Sequence, residues 1–479
     1  MTVRALAVTG MVLALAAIAA GGCAAADPDG GRTAWKERPD APKPADIREV
    51  PDSAGSAAQS DEPSGPIGAG KRPADGRNAA RSGDDADTER SKFGGGTRSD
   101  GPAGTGARPG SGPGTGADRG VSARARAGFP GVPAGVRGIY VSGWIAGSGE
   151  PMERLIRLVE ETDLNAMVID VKNDHGRLTY RSSLPLVKAV GADRDPPVRD
   201  MAGLIRRLKA KRIYTIGRVV VFKDPLLAQA KPEWAFRRKD GGLWRDRKGV
   251  PWVEPYLPEV REYNIAIAKE AASLGFDEIQ FDYVRFPDNG EAMDRAVRYR
   301  NPEGWTKREA IGRFLREARD QLHTSGAAVS ADVFGLVTTA RDDMGIGQTW
   351  REIAPAVDAI SPMIYPSHYA AGSYGIRHPD LEPAAVVRRA LEDAGRRNRI
   401  LAAEGKRPAR IRPWLQAFTA TWLSPHRTYR AAEIRAQIRA AEAAGVTDFL
   451  LWDPACTYEY PTSFTRQVVL DRPKNALIR

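Results

Sequence analysis

From position 136 onward, short runs of mostly apolar residues alternate with longer segments in which apolar residues recur every three to four positions. The short runs are 136–144 (VRGIYVSGW), 166–170, 213–222, 278–282 (EIQFD), 328–333, 359–365, 412–418 and 449–453. The longer segments are 153–162, 202–212, 259–275, 308–323, 349–357, 383–395 and 431–445. Near-continuous apolar runs are the signature of parallel strands buried on both faces, and the three-to-four spacing is that of amphipathic helices. Eight strands alternating with seven helices predict an α/β fold, a (β/α)8 TIM barrel spanning 136–479. A doubly wound open sheet is the competing architecture. The strand number argues against it, as does the lack of a Gly-rich phosphate loop after the first strand.

The pattern before position 136 is different. Arg4 gives a short positive start, residues 5–20 are apolar, and small residues then lead to Cys23. That order reads as an export signal over 1–23. The run AAGGCA resembles a bacterial lipoprotein signal in which Cys23 would be lipidated, with Ala20 standing where Leu is usual. A plain secretory signal cleaved among residues 24–26 is the main rival, and an uncleaved anchor is the third reading. Residues 24–135 are Gly-, Pro- and Ala-rich with almost no large apolar side chains. Such a segment cannot bury enough surface to offset the entropy of ordering, so a disordered linker is expected. As a flexible coil it would reach roughly 55–60 Å, which suits a tether between a membrane and a folded domain.

Composition narrows the function classes. The chain has 479 residues, 2 cysteines and a formal net charge of +11. With Cys23 lipidated or removed, Cys456 has no partner, so no disulfide framework is expected. The positive charge is scattered along helices rather than gathered into a stripe. An exported chain without a recognisable binding motif is not expected to bind nucleic acid. The five histidines, at 175, 323, 368, 378 and 426, form no H-x-x-x-H pair. No Walker loop, dinucleotide fingerprint or serine elbow occurs either. No metal or other cofactor is therefore expected.

In a TIM barrel the chemistry sits at the C-terminal ends of the strands. Those ends carry Asp170, followed by Lys172 and His175; Arg218; Asp282, followed by Tyr283 and Arg285; Asp332; Tyr365, followed by His368; Gln416; and Trp452 with Asp453. Paired acids at one mouth are what glycoside hydrolysis requires, one attacking or activating water and one protonating the leaving oxygen. Asp282 is the expected nucleophile or base, kept anionic by Arg285 or Lys172. Asp332 is the expected acid, its pKa raised by aromatic neighbours such as Phe334. Asp170 and Asp453 are reserve carboxylates; each could equally be structural, capping a helix or pairing with a neighbouring cation. The connection after the third strand carries Trp234, Phe236, Trp244, Trp252 and Tyr256. These rings could stack on sugars or could form the loop's own small core. The expected substrate-binding set is Asp170, Lys172, His175, Arg218, Trp234, Tyr283, Arg285, Tyr365, His368, Gln416, Trp452 and Asp453.

The motifs GIYVSGW (138–144), NAMVIDVKNDHG (165–176), PEWAF (232–236), VEPYLPEVREY (253–263), FDEIQFDYVRFP (276–287), ISPMIYPSHY (360–369) and RPWLQAF (412–418) resemble the putative glycoside hydrolase domain family DUF4015. The resemblance covers roughly 136–460. It implies a TIM barrel like those of other bacterial glycosidases, with the acid ending the fourth strand, Asp282, as the presumed catalytic residue. The expected function is an exported, lipid-anchored glycoside hydrolase acting on a cell-envelope or extracellular polysaccharide. The alternatives are a non-catalytic polysaccharide-binding barrel, and an esterase or lyase on the same scaffold. The oligomeric state is left open.

Overall fold

The computed structural model describes residues 131–288 and 290–459, all within one compact unit. The expected signal segment, the lipidation residue Cys23 and nearly all of the expected linker lie outside the described residues, as does the stretch beyond 459.

Eight strands form the barrel wall: β1 (Arg137–Val141), β2 (Ala166–Lys172), β3 (Tyr214–Val220), β4 (Glu278–Asp282), β5 (Ala328–Phe334), β6 (Ala359–Ile364), β7 (Trp414–Gln416) and β8 (Phe449–Trp452). Each is parallel to its neighbours in sequence order, and β8 pairs with β1 through Arg137↔Phe449 and Ile139↔Leu451. The sheet therefore closes on itself, the (β/α)8 barrel expected from the alternation. Closure leaves the wall without a free edge, and helices cover its outside. The strand positions are nearly all buried, which accounts for their continuous apolar pattern.

The covering helices are α1 (Glu150–Glu160), α2 (Met201–Ala210), α3 (Pro258–Ser273), α4 (Lys307–His323), α5 (Pro383–Ala403) and α6 (Ala431–Ala443). Each turns an apolar stripe to the wall; in α1 it is Met152, Leu155, Ile156 and Val159. Local signals fix their starts. Thr306 and Glu309 form a reciprocal capping box at α4, and the Asp200 carboxylate accepts from the Gly203 amide at α2.

Two helices differ from expectation. The segment 349–357 gives one α-turn, Trp350–Ile353, then a 3-10 turn, Ala354–Ala356. Pro355 lacks the amide a longer helix needs. α5 runs past Gly395 to Ala403 because Leu401 is buried and extends the apolar face. Gly395 keeps an ordinary helical backbone rather than the left-handed one of a helix stop.

The interior is polar at its lower end. Arg412 donates to Glu278 at 2.7 Å with both side chains sealed from solvent, and Tyr214 donates to the same carboxylate at 3.1 Å. Higher up, the amide of Gln280 donates to Ser361 at 3.2 Å. Above these groups the C-terminal strand ends open into a cavity of about 260 Å³.

Candidate active site

Four charged groups meet at the cavity floor. Asp170 ends the inward-facing series on β2, Arg218 sits on β3, Asp282 ends β4 and Asp332 lies on β5. Their strands are consecutive in the wall, and the register matches Asp170 to Arg218 and Phe281 to Ala331. Asp282 and Asp332, one residue further on, therefore sit at the same level of neighbouring strands.

Arg218 joins two of the acids. Its Nε and Nη2 donate to Oδ2 of Asp282 at 2.9 and 2.5 Å, and its Nη1 donates to Oδ1 of Asp170 at 2.7 Å. Tyr140, on β1, donates its hydroxyl to the other oxygen of Asp170 at 2.7 Å. The guanidinium also lies 5.5 Å from the ring of Trp452, which packs on Tyr140 with centroids 4.2 Å apart. Arg218 is thus the counter-charge of Asp282. The cations expected in that role stand elsewhere: Lys172 is outside the wall, and Arg285 makes no ion pair among the described residues.

Asp332 is in a different environment. Burial pushes its carboxyl well above the usual carboxylate range, and the charge of Asp282 pushes it further; the Trp414 indole, donating at 2.7 Å, and Arg218 only partly oppose this. Phe334, expected as the aromatic neighbour, packs instead on Arg285 at 4.7 Å. Burial also raises Asp170, against the pull of Arg218 and Tyr140. The floor therefore holds one carboxylate doubly bonded by an arginine beside one carboxyl driven toward its protonated form. That division is what acid–base chemistry at a single site needs.

Backbone geometry at the end of β4 helps to aim Asp282. Tyr283 has φ +49°, a left-handed conformation uncommon for a residue with a side chain, and its amide donates to Oδ1 of Asp282 at 2.6 Å. Such a conformation is retained where surrounding contacts over-determine it.

The remaining expected residues divide into two groups. His175, Tyr283, Arg285, Tyr365, His368 and Trp452 line the cavity with the floor groups. His368 is sealed, however. Its Nδ1 pairs with the Ser367 hydroxyl at 2.8 Å, its Nε2 is buried without a partner, and burial lowers its pKa to about 3. It is a neutral ring packed among Tyr365, Phe418 and Trp422.

Four others lie away from the cavity. Lys172 is fully buried between β2 and α3, donating to Asp224 at 2.8 Å and to Asn264 at 2.6 Å. The cause is a register shift between Asp170 and Lys172, which breaks the in–out alternation and sends the lysine to the helix side. Trp234 sits on a 3-10 turn in the loop after β3, beside Lys231. Gln416 ties loops together, accepting from Ser367 and donating to Asp380 and the Phe418 carbonyl. Asp453 accepts from the amides of Ala455, Thr457 and Tyr458 and so shapes the loop after β8.

The aromatics after β3 divide the same way. Phe236, Trp244 and Tyr256 pack with Phe286 and Tyr299 as the loop's own core, whereas Trp252 reaches the cavity. Sequence reasoning missed Tyr140, Trp414 and Trp144. All three fall within the motifs GIYVSGW and RPWLQAF, and Trp414 shares the parity of Arg412, whose side chain meets Glu278 in the barrel interior. Trp144 is 70% exposed at the cavity rim, and the short helix carrying it gives no periodic signal of its own.

Among solved structures, a hypothetical protein from Ruminiclostridium thermocellum is 40% identical, covering 41% of this chain and 97% of its own, with a TM-score of 0.37. The glycoside hydrolase domain of PgaB (BpsB) from Bordetella bronchiseptica is 15% identical, covering 69% and 97%, with a TM-score of 0.46. An α-galactosidase from Thermus thermophilus is 15% identical, covering 72% and 62%, with a TM-score of 0.40. No match was found among curated proteins. Residues 138–458, the whole barrel from β1 to the loop after β8, match the family described as putative glycosyl hydrolase domain, DUF4015, and the chain belongs to that family.

Proposed function

We propose that this protein hydrolyses glycosidic bonds in a cell-envelope or extracellular polysaccharide, with Asp282 as nucleophile or base and Asp332 as the acid. The observation that carries the reading is the contrast between the two carboxyls. Asp282 accepts two bonds from Arg218, while Asp332, level with it on the next strand, is pushed toward the protonated form by burial and by the charge of Asp282. A glycosidase needs one acid of each kind on either side of the scissile bond. Asp170 shares Arg218 with Asp282 and so holds the arginine in place, a positioning role rather than a direct one. Tyr365, its phenol pushed up by burial and by Asp332, stays a hydroxyl donor facing the same space.

The test is reducing-end release from a polysaccharide panel by the full chain and by Asp282→Asn. The variant should lose about 10³-fold or more in kcat, as expected when an acting carboxylate is removed, with melting temperature within a few degrees of the parent. The second reading is a barrel that binds polysaccharide without cleaving it. The close burial of Asp332, which is 2% exposed, favours that reading. Glycan binding without reducing-end release, unchanged in Asp282→Asn, would decide for it.

We also propose that the protein is exported and held at the membrane by a lipid on Cys23. The support is the order of charged, apolar and small residues at the start of the chain.

A further inference from the structure

The cavity holds a cation that the hydrolytic site does not use. Arg285 lies three residues after Asp282, lines the cavity and is 7% exposed. Its guanidinium is wedged among three rings, 4.7 Å from Phe334, 5.0 Å from Trp252 and 5.2 Å from Tyr283. Among the described residues it makes one hydrogen bond, from Nη1 to the Phe286 carbonyl at 2.9 Å, and no ion pair. Its Nε and Nη2 have no partner among the described residues, yet they are not among the polar atoms sealed from solvent, so they open toward the cavity.

The other cations of the inner cavity are committed. Arg218 is bonded to Asp170 and Asp282, and Lys223 donates to Asp174 at 2.8 Å. Lys223 also lies 4.9 Å from the ring of Tyr283, so two cations flank that tyrosine. A buried charge without a counter-charge is rare in proteins, because desolvation is repaid only by a partner or a ligand. The aromatic rings repay part of it through their faces, and they hold the guanidinium plane fixed. They leave the in-plane N–H groups unused. Two free donors on one guanidinium match the two oxygens of a carboxylate.

We propose that the cavity takes an acidic glycan and that Arg285 receives the carboxylate of a uronic-acid ring. The inference rests on the reading of the cavity as a polysaccharide site and names the substrate class. Arg177 and Arg194 are exposed at the rim without an ion pair among the described residues, but Asp195, Asp246 and Asp288 line the same cavity, so the assignment rests on Arg285 itself.

The test is calorimetric binding of the full chain to polygalacturonate, polymannuronate and hyaluronan, each paired with its own carboxyl-reduced form. At least one native polymer should bind tenfold or more tightly than its reduced partner. Arg285→Gln should erase that difference while leaving affinity for the reduced polymer within about twofold. Should Arg285→Gln fail to fold, Arg285→Lys, which keeps the charge but not the fork, should retain only part of the preference. Equal affinity within every pair, no binding to any member, or an Arg285 variant that weakens both members alike would overturn the proposal. Tighter binding of a carboxylate-free sulfated galactan, or of a glycerol phosphate polymer, would overturn the carboxylate assignment. Because binding is read without turnover, a protein that prefers uronates but releases no reducing ends would sink the hydrolase reading alone. One that cleaves neutral glycans with no preference for charge would sink this proposal alone.

Discussion

Asp332 is a buried carboxyl with two influences acting in one direction, and its protonation has a measurable consequence for folding. Burial and the charge of Asp282 raise this carboxyl, so the folded state keeps its proton to higher pH than the unfolded chain, which releases it near the ordinary aspartate value of about 4. The stability contributed by that proton is fully present below about pH 4 and declines as pH rises toward the elevated folded value. In that interval the slope for one proton is about 1.4 kcal/mol per pH unit. Asp332→Asn cannot titrate, and its side-chain oxygen can still accept from Trp414. Urea unfolding from pH 5 to pH 8 should therefore fall more steeply for the parent than for the variant. Parallel curves would show that Asp332 is not held protonated. The same substitution should lower kcat by about 10²–10⁴-fold if Asp332 is the acid. Of the carboxylates at the floor, the sequence exposed position but not partner. Strand ends named Asp170, Asp282 and Asp332; only the wall's register set Arg218 between the first two.

Elements explain why some residues beside the cavity in sequence are far from it in space. Lys172, expected at the mouth because it follows the strand end at Asp170, is turned away by the register shift between the two residues. The lysine instead joins β2 to α3 through Asn264 and to the start of the short helix Pro225–Ala230 through Asp224, whose other oxygen accepts from the Leu227 amide. Lys172→Met should cost about 3–5 kcal/mol, because it strands a buried Asp224. Urea denaturation would read that loss, and KM on any substrate should be unchanged in the folded fraction. The loop after β8 follows the same logic. Asp453→Ala removes acceptors from three amides and should cost about 1–3 kcal/mol. A variant with native stability but weakened substrate binding would return Asp453 to the substrate-binding set. The alternation of apolar runs made all eight strands legible. Helix ends were less so, because Pro355 and Gly395 are local signals whose effect depends on the face each helix buries.

For the whole molecule, the barrel is one part of a longer chain whose first 130 residues have a composition unlike it. If Cys23 carries a lipid, metabolic labelling with a fatty-acid analogue should mark the full chain, and Cys23→Ser should abolish the label and move the protein from membrane to soluble fractions. Labelling that persists in the variant would remove the anchor proposal. No helix among the described residues is long and apolar enough to cross a membrane.

By itself the sequence determined the class of fold and the end of the barrel where chemistry gathers. Both depend on periodicity, and periodicity is a local property of the chain. Tertiary structure alone decided which charges face one another. It paired Arg218 with two acids, left Arg285 without one among the described residues, and sent Lys172 and Asp453 to structural duty. Strand register and burial set those partnerships, and both arise only when distant segments close into one wall.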